Sequence, residues 1–184
     1  MEGAVQEPEP QIVAAARSGD LAAFEDLVRR YQADVWRLSF HLLRNESEAD
    51  DVTQEAFVRA FRFLKRYRGE SKFTTWLFTI TRNCAFDEVR KAGRRRKLAE
   101  RAGGEVRLIS GDHSLRIEVR EALADLPLEL REPVVLIDMF GTSYREVATM
   151  LRLPVGTVKS RVHRARATLA GALLAHEEQE SNES

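Results

Sequence analysis

Residues 143–169 read SYREVATMLRLPVGTVKSRVHRARATL, and this stretch decides what kind of protein the chain is. Apolar residues recur every three or four positions on both sides of Leu153-Pro154. The spacing predicts two helices, about Ser143 to Leu151 and about Pro154 to Leu174, separated by two or three residues. Such a closely spaced pair has the form of a helix-turn-helix. Ser143 is a capping residue type, Ala148 is small where the helices would cross, and Pro154 suits a first helical turn. At roughly 100° per residue, Val158, Val162, Ala165 and Leu169 share one face of the last helix and are assigned to the core. The opposite face carries Gly156, Ser160, His163, Arg164 and Ala167, flanked by Thr157, Lys159 and Arg161. Small, hydrogen-bonding and basic side chains are what a DNA major groove admits. Arg164 is expected at a base edge with Ser160 and His163 beside it, whereas Lys159, Arg161, Arg166 and Tyr144 suit phosphates. The plainer alternative is an amphipathic hairpin with a solvated face, and the tight turn and basic face count against it.

Outward from this pair, no stretch alternates apolar and polar residues cleanly enough to read as a strand, so the fold class expected is all-α. Asp20 is placed as the N-cap of a helix running to about Leu43, with Phe24, Leu27, Val28, Tyr31, Val35, Leu38 and Leu42 in one stripe. Asn45 breaks the pattern, and Ser47 is expected to cap a second long helix to about Arg66. Arg68-Gly69-Glu70-Ser71 reads as a turn, and a third helix starts near Phe73 and continues into Arg94-Arg95-Arg96-Lys97. On that helix Phe73, Leu77, Ile80 and Cys84 fall on one face, and Thr75, Thr79, Arg82, Asn83, Phe86 and Arg90 on the other. An aromatic among cations invites single-strand binding, because bases stack on the ring while arginines hold the backbone. Trp76 and Phe78 flank the two faces, and core packing is the favoured reading for both.

AGGEVRLISGDHSL, residues 102–115, has glycines and no sustained period and reads as a linker. Helical pattern resumes at Ile117, stops at Leu126-Pro127, and returns from about Leu128 to Phe140, with Gly141 as a stop. Pro133 either kinks this last helix or delays its start. The expected organisation is two small helical domains, 11–101 and 117–176, joined by a flexible linker at 102–116, with disordered ends at 1–10 and 177–184.

A chain of 184 residues allows one ordinary domain or two small ones, and 43% hydrophobic with 32% charged residues is the balance of a folded protein. Formal net charge is zero, which excludes a uniformly basic coat, yet the zero is a sum of large terms. Residues 1–58 carry minus 7, 59–101 plus 10, 102–140 minus 4, 141–176 plus 5 and 177–184 minus 4. Cys84 is the only cysteine, so no intramolecular disulfide or zinc ribbon is available and a reducing interior fits best. The start, MEGAVQEPEP, does not read as an export signal, and no apolar run reaches the roughly 20 residues of a membrane span. His41, His113, His163 and His176 are scattered, and no nucleophile constellation or two-metal carboxylate cluster appears, so no enzymatic activity, cofactor or metal is expected. The acidic first turn of the second helix, with Glu48, Asp50, Asp51 and Glu55, suits either a protein-docking surface or plain compensation of the helix dipole.

DDVTQEAFVRAFRFLKRYRGESKFTTWLFTITRN at 50–83, followed by SYREVATMLRLPVGTVKSRVHRAR at 143–166, closely resembles the extracytoplasmic-function group of bacterial RNA polymerase sigma factors. The resemblance spans about residues 11–174 and implies two helical domains, regions 2 and 4, joined by a linker. It implies that Asp50, Asp51, Val52, Gln54, Glu55 and Phe57 dock on the clamp helices of the polymerase largest subunit, which favours docking over dipole compensation. It further implies that Tyr67, Arg68, Gly69, Glu70, Ser71, Lys72 and Phe73 form a loop capturing a flipped base of the promoter −10 element. Thr75, Trp76, Arg82 and Asn83, with Phe86 and Arg90 from the helical wheel, would melt and hold that strand. Lys159, Ser160, His163 and Arg164 match recognition-helix positions for the −35 element, joined there by Tyr144, Gly156, Thr157, Arg161 and Arg166. The helix carrying Val134 to Phe140 is assigned to the polymerase flap. His163 stands where relatives often have a bulkier apolar or aromatic residue. An anti-sigma partner and a cytoplasmic location without membrane insertion are implied by the same resemblance. The alternative from a different class is a conventional helix-turn-helix regulator with a helical sensor domain, which would bind duplex promoter DNA without polymerase.

Overall fold

The computed structural model describes residues 5–101 and 122–182 and places them in two compact units, each considered by itself. The expected linker at 102–116 and the onset of helix at Ile117 lie outside the described residues. All regular structure among the described residues is helical, in agreement with the periodicity.

The first unit is built from α1 (Pro10–Arg17), α2 (Leu21–Leu43), α3 (Glu46–Phe63) and α4 (Phe73–Arg101). The periodic pattern begins only at Asp20 and misses α1. At eight residues α1 is too short to hold by propensity, and packing on α2 makes it, with Ala16 buried. Gly19, at φ +105°, turns the chain into Asp20, whose carboxylate accepts from the N–H groups of Ala22 (2.9 Å) and Ala23 (3.2 Å) as expected of an N-cap. Leu27, Tyr31, Val35, Leu38 and Leu42 of the predicted stripe are buried, while Phe24 and Val28 sit at its half-buried margin. Arg44 ends α2 in the left-handed region, which leaves Asn45 extended immediately before the next helix. Asn45, not Ser47, is therefore the cap of α3, its Oδ1 accepting from Glu48 N–H at 3.0 Å. Ala49, Ala56 and Ala60 are fully buried and let α3 approach α2 and α4 closely. After α3 a short 3₁₀ turn, Leu64–Arg66, and Gly69 at φ +74° lead into α4.

The expectation of disorder over 1–10 is corrected for the part that the structure describes. Residues 5–9 are non-helical but tied down: Pro8 is buried, and Gln6 O accepts from the Tyr31 hydroxyl at 2.7 Å. These contacts come from residues far along the chain, so local composition gives no sign of them.

The second unit contains α5 (Leu128–Val134), a π turn at Val135–Met139, α6 (Tyr144–Leu151) and α7 (Val155–Asn182). Pro133 does not delay the helix, which already begins at Leu128, and the hydrogen-bond pattern widens to the π turn directly after the proline. Arg131 is buried and donates from Nη1 to Ala124 O at 3.0 Å, joining α5 to the helical residues before it. Gly141, at φ +65°, closes this element as predicted. Ser143 and Glu146 then form a capping box: Glu146 N–H donates to Ser143 Oγ (3.3 Å) and Ser143 N–H to Glu146 Oε2 (2.9 Å).

α6 ends on Arg152 in the left-handed conformation, and Leu153 N–H donates to Ala148 O at 2.9 Å. Pro154 lies just outside α7, and its carbonyl accepts from Thr157 and Val158 N–H. α7 runs to Asn182 rather than stopping near Leu174, since Ala-rich and Glu-rich sequence sustains helix without an apolar stripe. Val147, Val158, Val162 and Ala165 are at most 1% exposed and lock α6 and α7 at their crossing.

Candidate nucleic-acid interface

On α7 the burial of Val158, Val162 and Ala165 fixes which way the helix faces. Gly156, Lys159, Ser160, His163, Arg164 and Ala167 are exposed together on the other side, and Thr157 and Arg161 are half-buried on its flanks. The surface that the helical wheel selects is thus a real surface, small and cationic over a dry apolar back. Arg166 is different. Its guanidinium makes a two-pronged pair with Asp138 of the π turn, Nε to Oδ2 at 3.0 Å and Nη2 to Oδ1 at 2.5 Å. The carboxylate holds the guanidinium charged even more firmly than usual. The side chain expected at a phosphate is thus also an internal tie across 28 residues of sequence. Tyr144, at the start of α6, is half-buried. Val134, Val135, Leu136 and Phe140 are core, so only Asp138, exposed, and the half-buried Ile137 and Met139 of that stretch reach solvent.

In the first unit, Tyr67, Phe73 and Trp76 form a triangle of rings with centroids 5.2 to 5.9 Å apart, and Tyr31 supports Phe73 from below at 5.8 Å. From this base projects the loop Arg68–Lys72, exposed along its length, with the Tyr67 hydroxyl donating across it to Ser71 O at 2.6 Å. Burial first, then the charge of Glu7, hold the Tyr67 phenol above its ordinary pKa. Phe73 is itself buried and Trp76 half-buried.

Farther along α4, Arg82 lies over the Phe86 ring at 4.4 Å, Asn83 is exposed, and Arg90 pairs with Asp87 at 2.5 Å. Thr75 departs from the expected outer face and is buried, as are Thr74, Phe78 and Thr81. α4 packs on both α2 and α3, so more than one face is covered and a two-sided wheel misplaces its margin.

The acidic turn of α3 divides likewise. Asp51, Gln54 and Glu55 are exposed, whereas Val52 is buried and cannot reach a partner without rearrangement. Asp50 accepts from Trp36 Nε1–H at 2.7 Å, an intramolecular contact that sequence reading did not supply. Glu55 pairs with Arg59 (2.6 Å), which also reaches Asp87 (2.8 Å), so the Asp87 carboxyl is held below its usual range by Arg59 and then Arg90. Phe57 lies half-buried in an open apolar groove with Phe24, Val58, Phe61 and Arg62. Val58 and Phe61 were missed, although the i, i+4 spacing of Phe57 and Phe61 on an acidic helix is a legible signal of an apolar edge. Among the described residues, no cluster of His, Cys, Asp or Glu is set to hold a metal ion and no helix is long and apolar enough to cross a membrane.

Residues 27–95 match the family model of sigma-70 region 2 and residues 116–169 that of sigma-70 region 4. The chain is 36% identical to the RNA polymerase sigma-H factor of Pseudomonas aeruginosa, over 91% of its own length and 95% of that protein. The chain belongs to the extracytoplasmic-function group of sigma-70-family sigma factors, to which its match with an ECF sigma factor of Escherichia coli also points. The ECF RNA polymerase sigma-E factor of Escherichia coli is likewise 36% identical, with 84% of this chain and 88% of the relative aligned.

Among solved structures, sigma factor RpoE in complex with the anti-sigma factor NepR from Bartonella quintana superposes with a TM-score of 0.74 at 27% identity, covering 83% of this chain and 98% of that one. CnrH in complex with the cytosolic domain of CnrY gives a TM-score of 0.67 at 32% identity, covering 90% and 96%. As a sigma factor of this group, the protein directs RNA polymerase to promoters through regions 2 and 4 and is an initiation factor, not an enzyme.

Proposed function

We propose that region 4 of this sigma factor reads the −35 duplex through the exposed face of α7, and that region 2 captures and holds the opened −10 strand. The observation that carries this reading is the α7 surface of Lys159, Ser160, His163 and Arg164 above a fully buried Val158, Val162 and Ala165. A helix so anchored presents its polar edge to a major groove as a rigid body. Arg164 reads a base edge with Ser160 and His163 beside it, and Lys159 and Arg161 hold phosphates.

In region 2 the loop from Tyr67 to Phe73 receives a flipped base above the aromatic triangle. Trp76, Arg82, Asn83 and Phe86 line the path of the single strand, with Arg90 beyond them, and Phe86 already carries the Arg82 cation over its ring. Asp51, Gln54 and Glu55 of α3, with Asp50 and Phe57 beside them, dock on polymerase, and the protein works in the cytoplasm where polymerase acts. A partner of the anti-sigma kind binds the factor and holds it inactive; the supporting observation is that the relative RpoE from Bartonella quintana is in complex with the anti-sigma factor NepR.

Run-off transcription with core polymerase on a library randomised at both elements tests the reading. Enrichment of one sequence at each element, dependent on polymerase, is the expected result. Tight sequence-specific duplex binding by the protein alone, with no enrichment that depends on polymerase, would overturn this division of promoter reading between the two regions.

A further inference from the structure

The loop Arg68–Lys72 is held at both ends by one segment of chain that lies fifty or more residues earlier. At its start, Arg17 of α1 donates from Nη1 to Tyr67 O at 3.3 Å. At its end, Glu7 lies across the first turn of α4: Oε2 accepts from Phe73 N–H at 2.8 Å and Oε1 from Thr74 N–H at 3.2 Å. Oε1 also accepts from the Thr74 hydroxyl.

The first N–H groups of a helix have no partner within it and carry its positive end, so a carboxylate is the group best suited to fix them. Glu7 in turn is not loose. Its own carbonyl accepts from Arg30 Nη2 (3.3 Å), the neighbouring Gln6 carbonyl accepts from the Tyr31 hydroxyl (2.7 Å), and Pro8 is buried next to it. Tyr31 is also the ring beneath Phe73. The strap formed by residues 5–9, α2 and the base of the loop therefore form one connected assembly.

We propose that Glu7 is a positioning residue for promoter recognition: by fixing the N-terminus of α4 from the strap at residues 5–9, it sets where the base-capturing loop stands over the Tyr67–Phe73–Trp76 triangle. The proposal rests on the reading of that loop given above. Phe73 is the hinge point, since its N–H is held by Glu7 while its ring packs on Tyr67 and Trp76. Released from Glu7, the junction of Lys72 and Phe73 gains freedom that the Tyr67–Ser71 hydrogen bond alone does not remove. Glu7 touches neither DNA nor polymerase in this role.

The test uses holoenzyme reconstituted from core polymerase and the full chain, on four promoters that differ only in the base captured from the −10 element. Open-complex formation is read by permanganate. Glu7→Ala is expected to reduce discrimination among the four bases by about tenfold, the scale of losing hydrogen bonds to a charged group. Glu7→Gln, which keeps an acceptor, falls between that variant and the unchanged protein, and polymerase affinity and −35 preference stay as they were.

A protein with Arg68, Glu70 and Lys72 all replaced by alanine separates the two levels of the argument. If it keeps full base discrimination, the base-capture reading fails. If it loses discrimination while Glu7→Ala does not, the positioning role alone is overturned. Parallel loss of polymerase binding, −35 preference and discrimination in Glu7→Ala also overturns it, because a general folding defect then accounts for everything. Should Glu7→Ala not fold, Glu7→Gln and Tyr31→Phe carry the same comparison, each expected to weaken discrimination selectively.

Discussion

Asp138→Asn is expected to lower the stability of region 4 and raise its hold on DNA at the same time. The substitution keeps the shape of the side chain and one acceptor oxygen but removes the charge that holds Arg166 in its two-pronged pair. Coulomb's law in a dry interior would assign that pair a large energy. The side chains, however, are 52% and 38% exposed, so screening by water and salt governs. Exposed pairs contribute about 0.2–1 kcal/mol, and the bidentate geometry places this one near the top of that range. A loss approaching 1 kcal/mol corresponds to about a fivefold drop in protection, read by hydrogen exchange at the amides of Val162 and Ala165, which lie at the back of α7.

The released guanidinium adds a mobile cation to a helix whose exposed face already carries Lys159 and Arg164. Each additional phosphate contact steepens the dependence of log affinity on log salt by about 0.9. Holoenzyme carrying Asp138→Asn should therefore bind a −35 fragment more tightly at low salt, with a steeper salt slope, while α7 becomes less protected. Weaker DNA binding with an unchanged slope would show that Arg166 serves only to hold α7 against the π turn. A protection loss above about thirtyfold would refute the screening argument.

Arg164→Ala should cost about 1–3 kcal/mol of discrimination at one −35 position and leave the others alone, and selection from a randomised −35 library shows whether any position has relaxed. Asp51→Lys should weaken association with core polymerase in a competition pull-down while far-ultraviolet circular dichroism stays unchanged, since Asp51 is exposed. It is a cleaner probe of docking than Glu55→Lys, which would also break the pair with Arg59. Asp87 has a folded-state pKa depressed by Arg59 and Arg90, so its contribution to region 2 is present above the ordinary carboxylate pKa and fades as pH falls through the depressed value. Asp87→Asn should therefore flatten the acid limb of a stability–pH curve below about pH 4, and an unchanged acid limb would count against the Arg59–Asp87 pair as a stabilising contact.

What could be read from sequence follows from how far each determinant reaches along the chain. The apolar stripe of α2, the Asp20 cap and the inward and outward faces of α7 depend on residues within a turn or two of each other, and all are found where periodicity puts them. Ser143 with Glu146 is equally local. Determinants that escape are those made across the fold: Glu7 on Phe73 and Thr74, Arg166 on Asp138, and Trp36 on Asp50. No window of sequence contains both partners of these contacts in a regular pattern. Thr75 departs from its expected face for a second reason. A helical wheel assumes one wet and one dry side, but α3 and α4 pack on each other and each also packs on α2, which buries residues at the predicted border.

The same distinction changes what the charge blocks mean. Counting formal charges makes residues 59–101 plus 10 and residues 141–176 plus 5, as if every cation faced a polyanion. In the folded protein Arg59 lies between Glu55 and Asp87, Arg90 also reaches Asp87, Lys91 pairs with Glu88, and Arg166 pairs with Asp138. Two of these carboxylates, Glu55 and Asp138, come from the neighbouring acidic blocks, so part of the alternation along the chain is internal neutralisation rather than display. Neutralisation is also uneven in space. Among the described residues it falls on α3, the middle of α4, the flank of α7 and, more loosely at 3.8 Å, on Arg68 with Glu70 in the loop before α4, while Lys159 and Arg164 share the exposed face of α7 with Ser160 and His163. Cations tied to fixed carboxylates contribute little to attraction at a distance, whereas a few cations on a rigid face contribute to contact geometry. The balance favours a protein with weak affinity for DNA in general and a definite geometry once polymerase has delivered it, which is what selecting one promoter among many competing sites requires.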